Sequence, residues 1–172
     1  MPLNTLEIKK LIREQNLIQG FINLDVQLTP NGFDLTAGNI FNFNASGALD
    51  FSNKEREVPE GKEILPKKRN AQDKFGWWNL KKEAYKVRTN EVINLPLDLI
   101  AIVFSRTSLL RMGAFTQHGV WDAGFKGKSE FILVIENPKG IRLKQNARIA
   151  QLIFLKINAA IQGYQGVYQN YI

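Results

Sequence analysis

The chain contains no cysteine. That removes disulfides, thiolate metal sites and a thiol nucleophile together. It has one histidine, His118, which cannot assemble a zinc site by itself. The N-terminus, Met1-Pro2-Leu3-Asn4-Thr5-Leu6-Glu7, lacks the basic stretch and apolar run of a secretory signal. No apolar run approaches the roughly 20 residues that span a bilayer. These absences predict a soluble protein of a reducing, cytoplasmic compartment, with no membrane partner.

What is present suffices for a folded core. The 172 residues match the length of one domain, and a hydrophobic fraction of 44% is ordinary for a globular chain. We expect a single domain over residues 1–172. The net charge is +7, and residues 54–88 hold eleven Lys or Arg against six Asp or Glu, so +5 of it sits in that window. A basic surface favours polyanions, whether nucleic acid or a nucleotide triphosphate. A solvated, Lys-rich excursion accounts for the same charge.

Asn4-Thr5-Leu6-Glu7 has the spacing of a helix-capping box, and Leu6, Ile8, Leu11 and Ile12 predict a short amphipathic helix ending near Asn16. Phe21 through Leu28 alternates apolar with polar residues and reads as a strand. Thr29-Pro30-Asn31-Gly32 is a turn. Phe33–Leu35 and Asn39–Phe43 are further short strands. Residues 52–82 read as a basic, loop-rich insertion, with a short hairpin about Phe75-Gly76-Trp77-Trp78 whose adjacent indoles would face opposite ways. Tyr85–Arg88, Glu91–Leu95, Ile100–Phe104, Phe131–Glu136, Gly140–Leu143 and Ile149–Ile157 follow as strands, with a helical turn over Arg106–Met112. This spacing predicts a mainly β fold, a barrel or sandwich with one N-terminal helix. Residues 163–172 form a tail rich in Tyr and Gly.

Two segments carry chemistry. Ser105-Arg106-Thr107-Ser108-Leu109-Leu110-Arg111-Met112-Gly113 brings two guanidinium forks and two hydroxyls to one turn. Forks suit bidentate phosphate contact, and a helical turn adds backbone donors. A salt-bridged surface turn has the same composition. Gly119-Val120-Trp121-Asp122-Ala123-Gly124-Phe125-Lys126-Gly127 holds a lone carboxylate between an apolar dipeptide and a glycine-containing turn. Asp122 there is a candidate general base or a turn-capping Asp.

These segments, with three others in order, resemble the deoxyuridine triphosphatase and deoxycytidine triphosphate deaminase superfamily, particularly its archaeal-type triphosphatases. Asn31-Gly32-Phe33-Asp34-Leu35-Thr36-Ala37-Gly38 is similar to the first family motif and Ser105–Gly113 to the second. Gly119–Gly127 is similar to the third, Arg148-Ile149-Ala150-Gln151-Leu152-Ile153 to the fourth, and the Tyr-Gln tail to the fifth. The resemblance implies a distorted antiparallel β-barrel assembled as a homotrimer, with active sites at subunit interfaces. It implies that Asp122 contacts the sugar 3′-hydroxyl and orients the attacking water. Arg106, Thr107, Ser108, Arg111 and Gln151 would hold phosphates, and Thr107 stands where the family usually has Ser. Phe125 would wall off a ribose 2′-hydroxyl. Gln117, His118, Gly119 and Val120 would lie along the base, read by backbone groups. Tyr164, Tyr168 and Gln169 would close the site against water, with Val167 where deaminases commonly carry Lys.

Within that superfamily the chemistry divides. Zinc-dependent nucleotide deamination needs cysteine ligands and is excluded here. The superfamily's own deaminases use a Glu about ten residues after the third-motif Asp; here that residue is Ile132, with Glu130 and Glu136 flanking an apolar run. The expectation is therefore hydrolysis of deoxyuridine triphosphate to the monophosphate and pyrophosphate by water attack on the α-phosphorus. Magnesium would arrive on the triphosphate, without direct side-chain ligation. A bulge near Lys128-Ser129 would redirect Glu130, so a deaminase or a bifunctional enzyme is the alternative. A basic barrel binding single-stranded nucleic acid and a catalytically silent nucleotide-binding relative are further ones.

Overall fold

A computed structural model describes residues 1–172. Its elements run α1 (Thr5–Gln15), β1 (Ile18–Gln19), α2 (Leu24–Gln27), β2 (Leu28–Thr29), β3 (Gly32–Asn42), β4 (Lys62–Glu63), β5 (Trp77–Leu80), β6 (Ala84–Asn94), β7 (Leu99–Ser105), α3 (Thr107–Arg111), β8 (Ala114–Gln117), β9 (Lys126–Ile135), β10 (Ile141–Lys144) and β11 (Arg148–Lys156). The fold is mainly β. The long antiparallel sheet follows the order β7-β11-β3-β6-β9-β8. Its ends meet, because Ser105 Oγ on β7 accepts the Thr116 amide of β8 at 2.7 Å and Ala101 exchanges backbone bonds with Trp121. A barrel-like sheet results, nearly closed and so almost without free edges.

The helix α1 begins as its capping box requires. The Asn4 side chain accepts from the Leu6 and Glu7 amides, and Glu7 reaches back to the Asn4 amide at 2.9 Å. Asn16 ends the helix in the left-handed conformation, φ 54°, which Asn tolerates. Ile8 and Ile12 turn inward with Leu3 and Leu17. The core continues along alternate residues of β6 and β9, where Tyr85, Val87 and Ile93 meet Phe131, Leu133 and Ile135. No helix is long and apolar enough to cross a membrane.

Four expectations change. Phe21–Leu28 is not a strand: Leu24–Gln27 is a helical turn, capped by the Asn23 side chain on the Val26 amide. Gln27 decides this. Its side chain turns into the core, accepting from the amides of Ile22 and Asn23 and donating to Asp34 O and Glu91 Oε1. A buried polar anchor therefore mimics the polar half of a strand alternation. Phe33–Leu35 and Asn39–Phe43 fuse into β3 across a register shift between Ala37 and Asn39. Tyr85–Arg88 and Glu91–Leu95 fuse likewise into β6. The Trp77-Trp78 segment forms no local hairpin; it is β5, paired with distant β10. The adjacent indoles do face opposite ways. Trp78 is buried and donates its Nε1–H to Ile64 O at 2.7 Å, whereas Trp77 stays partly exposed.

Candidate active site

Two hollows hold the chemistry-bearing residues, and no residue lines both. The smaller, a cleft of about 320 Å³, is lined by Thr29, Ser105, Arg106, Thr107, Ser108, Arg148 and Gln151, with Asp34 at its base. β7 ends at Ser105 and α3 begins at Thr107, so the hydroxyls of Thr107 and Ser108 stand exposed at the first turn. Arg106 is fixed from below. Its Nε meets Asp34 Oδ2 at 3.1 Å, and its Nη1 donates to Arg148 O at 3.2 Å. Arg148 shares the same Asp34 oxygen at 3.1 Å and donates to Val26 O. Asp34 is buried; burial pushes its carboxyl up, against the pull of Arg106 and Arg148. Gln151 Nε2 donates to Thr29 Oγ1 at 2.9 Å. A Cβ on Gly32 would lie 2.3 Å from Leu152 O, so only glycine lets β3 run this close to β11. Arg111 does not line the cleft; it is exposed in the last turn of α3.

The larger hollow, about 740 Å³, lies along the segment after β8. Gly119, Val120, Trp121, Asp122 and Phe125 form one side, Tyr164, Tyr168 and Tyr171 of the tail another, and Lys86, Arg88 and Glu130 line it from the sheet. Trp121 anchors the segment: it is buried, bridged to Ala101, and donates its Nε1–H to Ser129 Oγ at 2.8 Å. Asp122 beside it is exposed, and its carboxylate makes no hydrogen bond or ion pair. Its backbone carbonyl accepts the Phe125 amide at 3.1 Å, closing the turn. Phe125 meets Tyr164 edge-on at 5.5 Å between ring centres. Gln117 and His118 do not line the hollow. Gln117 is exposed at the end of β8. His118 packs on Phe131, 4.4 Å between ring centres, with its Nε2 buried and unpartnered. Burial lowers its pKa to about 4, so the ring is neutral at pH 7.

The tail docks on its own chain. The Tyr164 amide donates to Ala123 O at 2.8 Å and the Asn170 amide to Lys126 O at 2.7 Å. Gln169 accepts from the Lys126 amide and donates to Gly124 O, both at 2.9 Å. Gly124 has φ +79°, and a Cβ there would approach Gly163 Cα to 2.7 Å, so the seat of the tail demands glycine twice over. Tyr171 stacks on the Arg88 guanidinium at 4.9 Å, and its hydroxyl bonds Arg88 and donates to Glu130 Oε1 at 3.0 Å. Glu130 also meets Arg88 Nε at 2.8 Å and Lys86 at 3.3 Å.

The chain matches the family model described as dCTP deaminase-like over residues 3–157. It belongs to that family. A probable deoxyuridine 5′-triphosphate nucleotidohydrolase of Methanosarcina mazei is 43% identical over 170 residues, 98% of this chain and 96% of that one. A deoxyuridine 5′-triphosphate nucleotidohydrolase of Methanocaldococcus jannaschii is 33% identical over 87% of this chain and 92% of that protein. A dUMP-forming dCTP deaminase of Persephonella marina is 32% identical over 98% and 92%. Among solved structures, the 2′-deoxycytidine 5′-triphosphate deaminase of Agrobacterium tumefaciens shares the fold. The TM-score is 0.64, at 20% identity, over 91% of this chain and 48% of that one.

Several residues of these hollows escape a reading along the chain. Asp34 and Arg148 lie within the first and fourth motifs, yet only the pairing of β3 with β11 joins them under Arg106, around the buried Asp34 carboxylate. Arg88 and Glu130 meet because they are opposed in register. Beyond its place in the first motif, the signal for Asp34 is a carboxylate between Phe33 and Leu35.

Proposed function

We propose that this protein hydrolyses deoxyuridine triphosphate to the monophosphate and pyrophosphate, by attack of water on the α-phosphorus. The observation that carries the reading is Asp122: an unpaired carboxylate on a rigid turn, beside an aromatic wall, in a hollow with room for a nucleoside. Archaeal relatives named for this hydrolysis, similar over nearly their whole length, support it.

In this reading Asp122 accepts a hydrogen bond from the attacking water and takes its proton as the bond to phosphorus forms. Phe125 walls the sugar and excludes a 2′-hydroxyl. Gly119 and Val120 supply backbone groups to the base. Arg106, Thr107, Ser108 and Gln151 hold the phosphates, with Arg106 pre-set by Asp34, so little reorganisation is left for the reaction. Water exclusion falls to Tyr164, Tyr168 and Gln169.

Since the phosphate cleft and the nucleoside hollow share no residue, a complete site forms when one subunit's cleft faces another's hollow, in a homotrimer. Exposed apolar side chains about the cleft support that assembly: Phe104, Leu110, Met112 and Phe115 are 37% to 56% accessible, and such a cluster favours burial between subunits. Of the carboxylates around the hollow, Glu130 is engaged by Lys86 and Arg88, while Asp122 and Glu60 are free. No group of three His, Asp or Glu is placed to ligate an ion. This donor set fits magnesium carried mainly by the triphosphate, where it neutralises charge on the phosphates. This reading places the enzyme in the cytoplasm.

One observation favours a second reading: Glu130, eight residues after Asp122, does face the hollow. A single product assay separates the two. With magnesium and deoxyuridine, deoxycytidine and uridine triphosphates offered in turn, we expect deoxyuridine monophosphate and pyrophosphate from the first alone. Ammonia from the deoxycytidine substrate, lost in Glu130→Gln, would assign deamination to Glu130, and no turnover of any substrate would sink both readings.

A further inference from the structure

The β5–β10 ribbon stands apart from the main sheet and carries a surface that neither hollow uses. Register sorts its two faces. Trp78, Leu80, Ile141 and Leu143 point inward and are buried. Trp77, Asn79, Arg142 and Lys144 take the other face, with Trp77 opposite Lys144 and Asn79 opposite Arg142. Lys67 extends this face as a third row, through paired backbone bonds with Trp77 at 2.9 Å each.

Trp77 gathers the charge. Arg69 and Arg142 each lie 4.9 Å from the ring centre, and Lys144 lies 5.6 Å away. The indole N–H has no acceptor in the chain, so the ring is held among cations rather than by a hydrogen bond. Stacking on an indole fixes a guanidinium plane but does not neutralise it. Arg69 pairs with Asp73 at 3.7 Å, a carboxylate that the charge of Lys144 also acts on; Arg142 and Lys67 form no ion pair. Converging like charges with this little compensation call for an anion.

We propose that this face binds single-stranded nucleic acid, independently of nucleotide hydrolysis. Arg142 and Lys144 lie two residues apart on one strand, about 6.8 Å along it, a spacing that can follow successive phosphates of an extended strand. A guanidinium lying over an indole also leaves its outer side to an unstacked base. An acidic peptide would satisfy the charges but would leave that plane unused.

The test uses the full-length protein and a labelled oligothymidylate, with oligouridylate as the second arm to separate DNA from RNA. Anisotropy is titrated across a range of salt. For three or four phosphate contacts, log affinity should fall with log salt at a slope of about −2 to −3. Arg142→Glu with Lys144→Glu should weaken binding at least about tenfold and flatten the slope by about 1.4, with thermal melting and nucleotide turnover unchanged. The control, Lys10→Glu with Arg13→Glu on α1, changes net charge equally and should bind nearly as the wild type does. Equal loss in both double variants would reduce the effect to net charge and overturn the proposal. So would unchanged binding in the ribbon variant, or capture of polyglutamate in preference to either oligonucleotide.

Discussion

Arg106 Nε and Asp34 Oδ2 lie 3.1 Å apart, joining the turn after β7 to the buried start of β3. Asp34 holds Arg148 with the same oxygen, so one carboxylate positions two guanidiniums beside the cleft. Asp34→Asn would leave both without a counter-charge while keeping the volume. Because the two arginines are partly solvated, the loss should stay below that of a fully buried pair, about 1–3 kcal/mol by urea denaturation. If Arg106 holds phosphate, KM for the triphosphate should rise about tenfold or more with the fold intact. Unchanged kinetics beside reduced stability would confine Asp34 to a structural role.

Asp122 makes the opposite case, a carboxylate with no side-chain partner. Replacing it with Asn removes no native hydrogen bond and should leave the melting temperature within about a degree, since surface changes of this kind cost little. Turnover should fall about a hundredfold or more, the range of a lost general base, with KM little changed. Retained turnover in Asp122→Asn would remove it from the chemistry.

The barrel was legible along the chain because short apolar runs, Phe131–Ile135 and Leu152–Leu155 among them, recur between turn signals, and because α1 carries a complete capping box. Legibility failed where a polar side chain does a core residue's work. Gln27 and Glu91 are buried and bonded to each other, and Glu91 accepts from Thr36; neither could be told from a solvent-facing residue by periodicity. The Arg106–Thr107–Ser108 turn was legible because its parts are contiguous. The Arg88–Glu130–Tyr171 cluster was not, since it depends on the register of β6 against β9 and on where the tail lands.

The tail's seat rests heavily on Gln169, which bonds Lys126 N and Gly124 O. Gln169→Ala removes both bonds, each worth about 1 kcal/mol, so the tail should open about tenfold or more often. Hydrogen exchange should speed up at the amides of Asn170 and Lys128, which bond across the tail contact, while amides of β9 beyond Phe131 stay protected. Exchange unchanged at those two amides would show that Tyr164 and Tyr171 hold the tail without Gln169.

His118 gives a pH test of the packing around the Gly119–Gly127 segment. Burial lowers its pKa to about 4, from an ordinary 6.5. Between those values the unfolded chain takes up a proton that the folded chain refuses. The stability linked to this group is therefore complete above about pH 6.5 and is lost as the pH falls towards 4. As the only histidine, it yields a single imidazole resonance to follow by proton NMR, and its midpoint should lie near 4. In His118→Phe, which keeps a ring against Phe131, denaturation midpoints should fall less steeply between pH 6.5 and 4 than in the wild type. A resonance titrating near 6.5 would mean that the ring is solvated, and that its packing on Trp121 and Phe131 does not keep water from it.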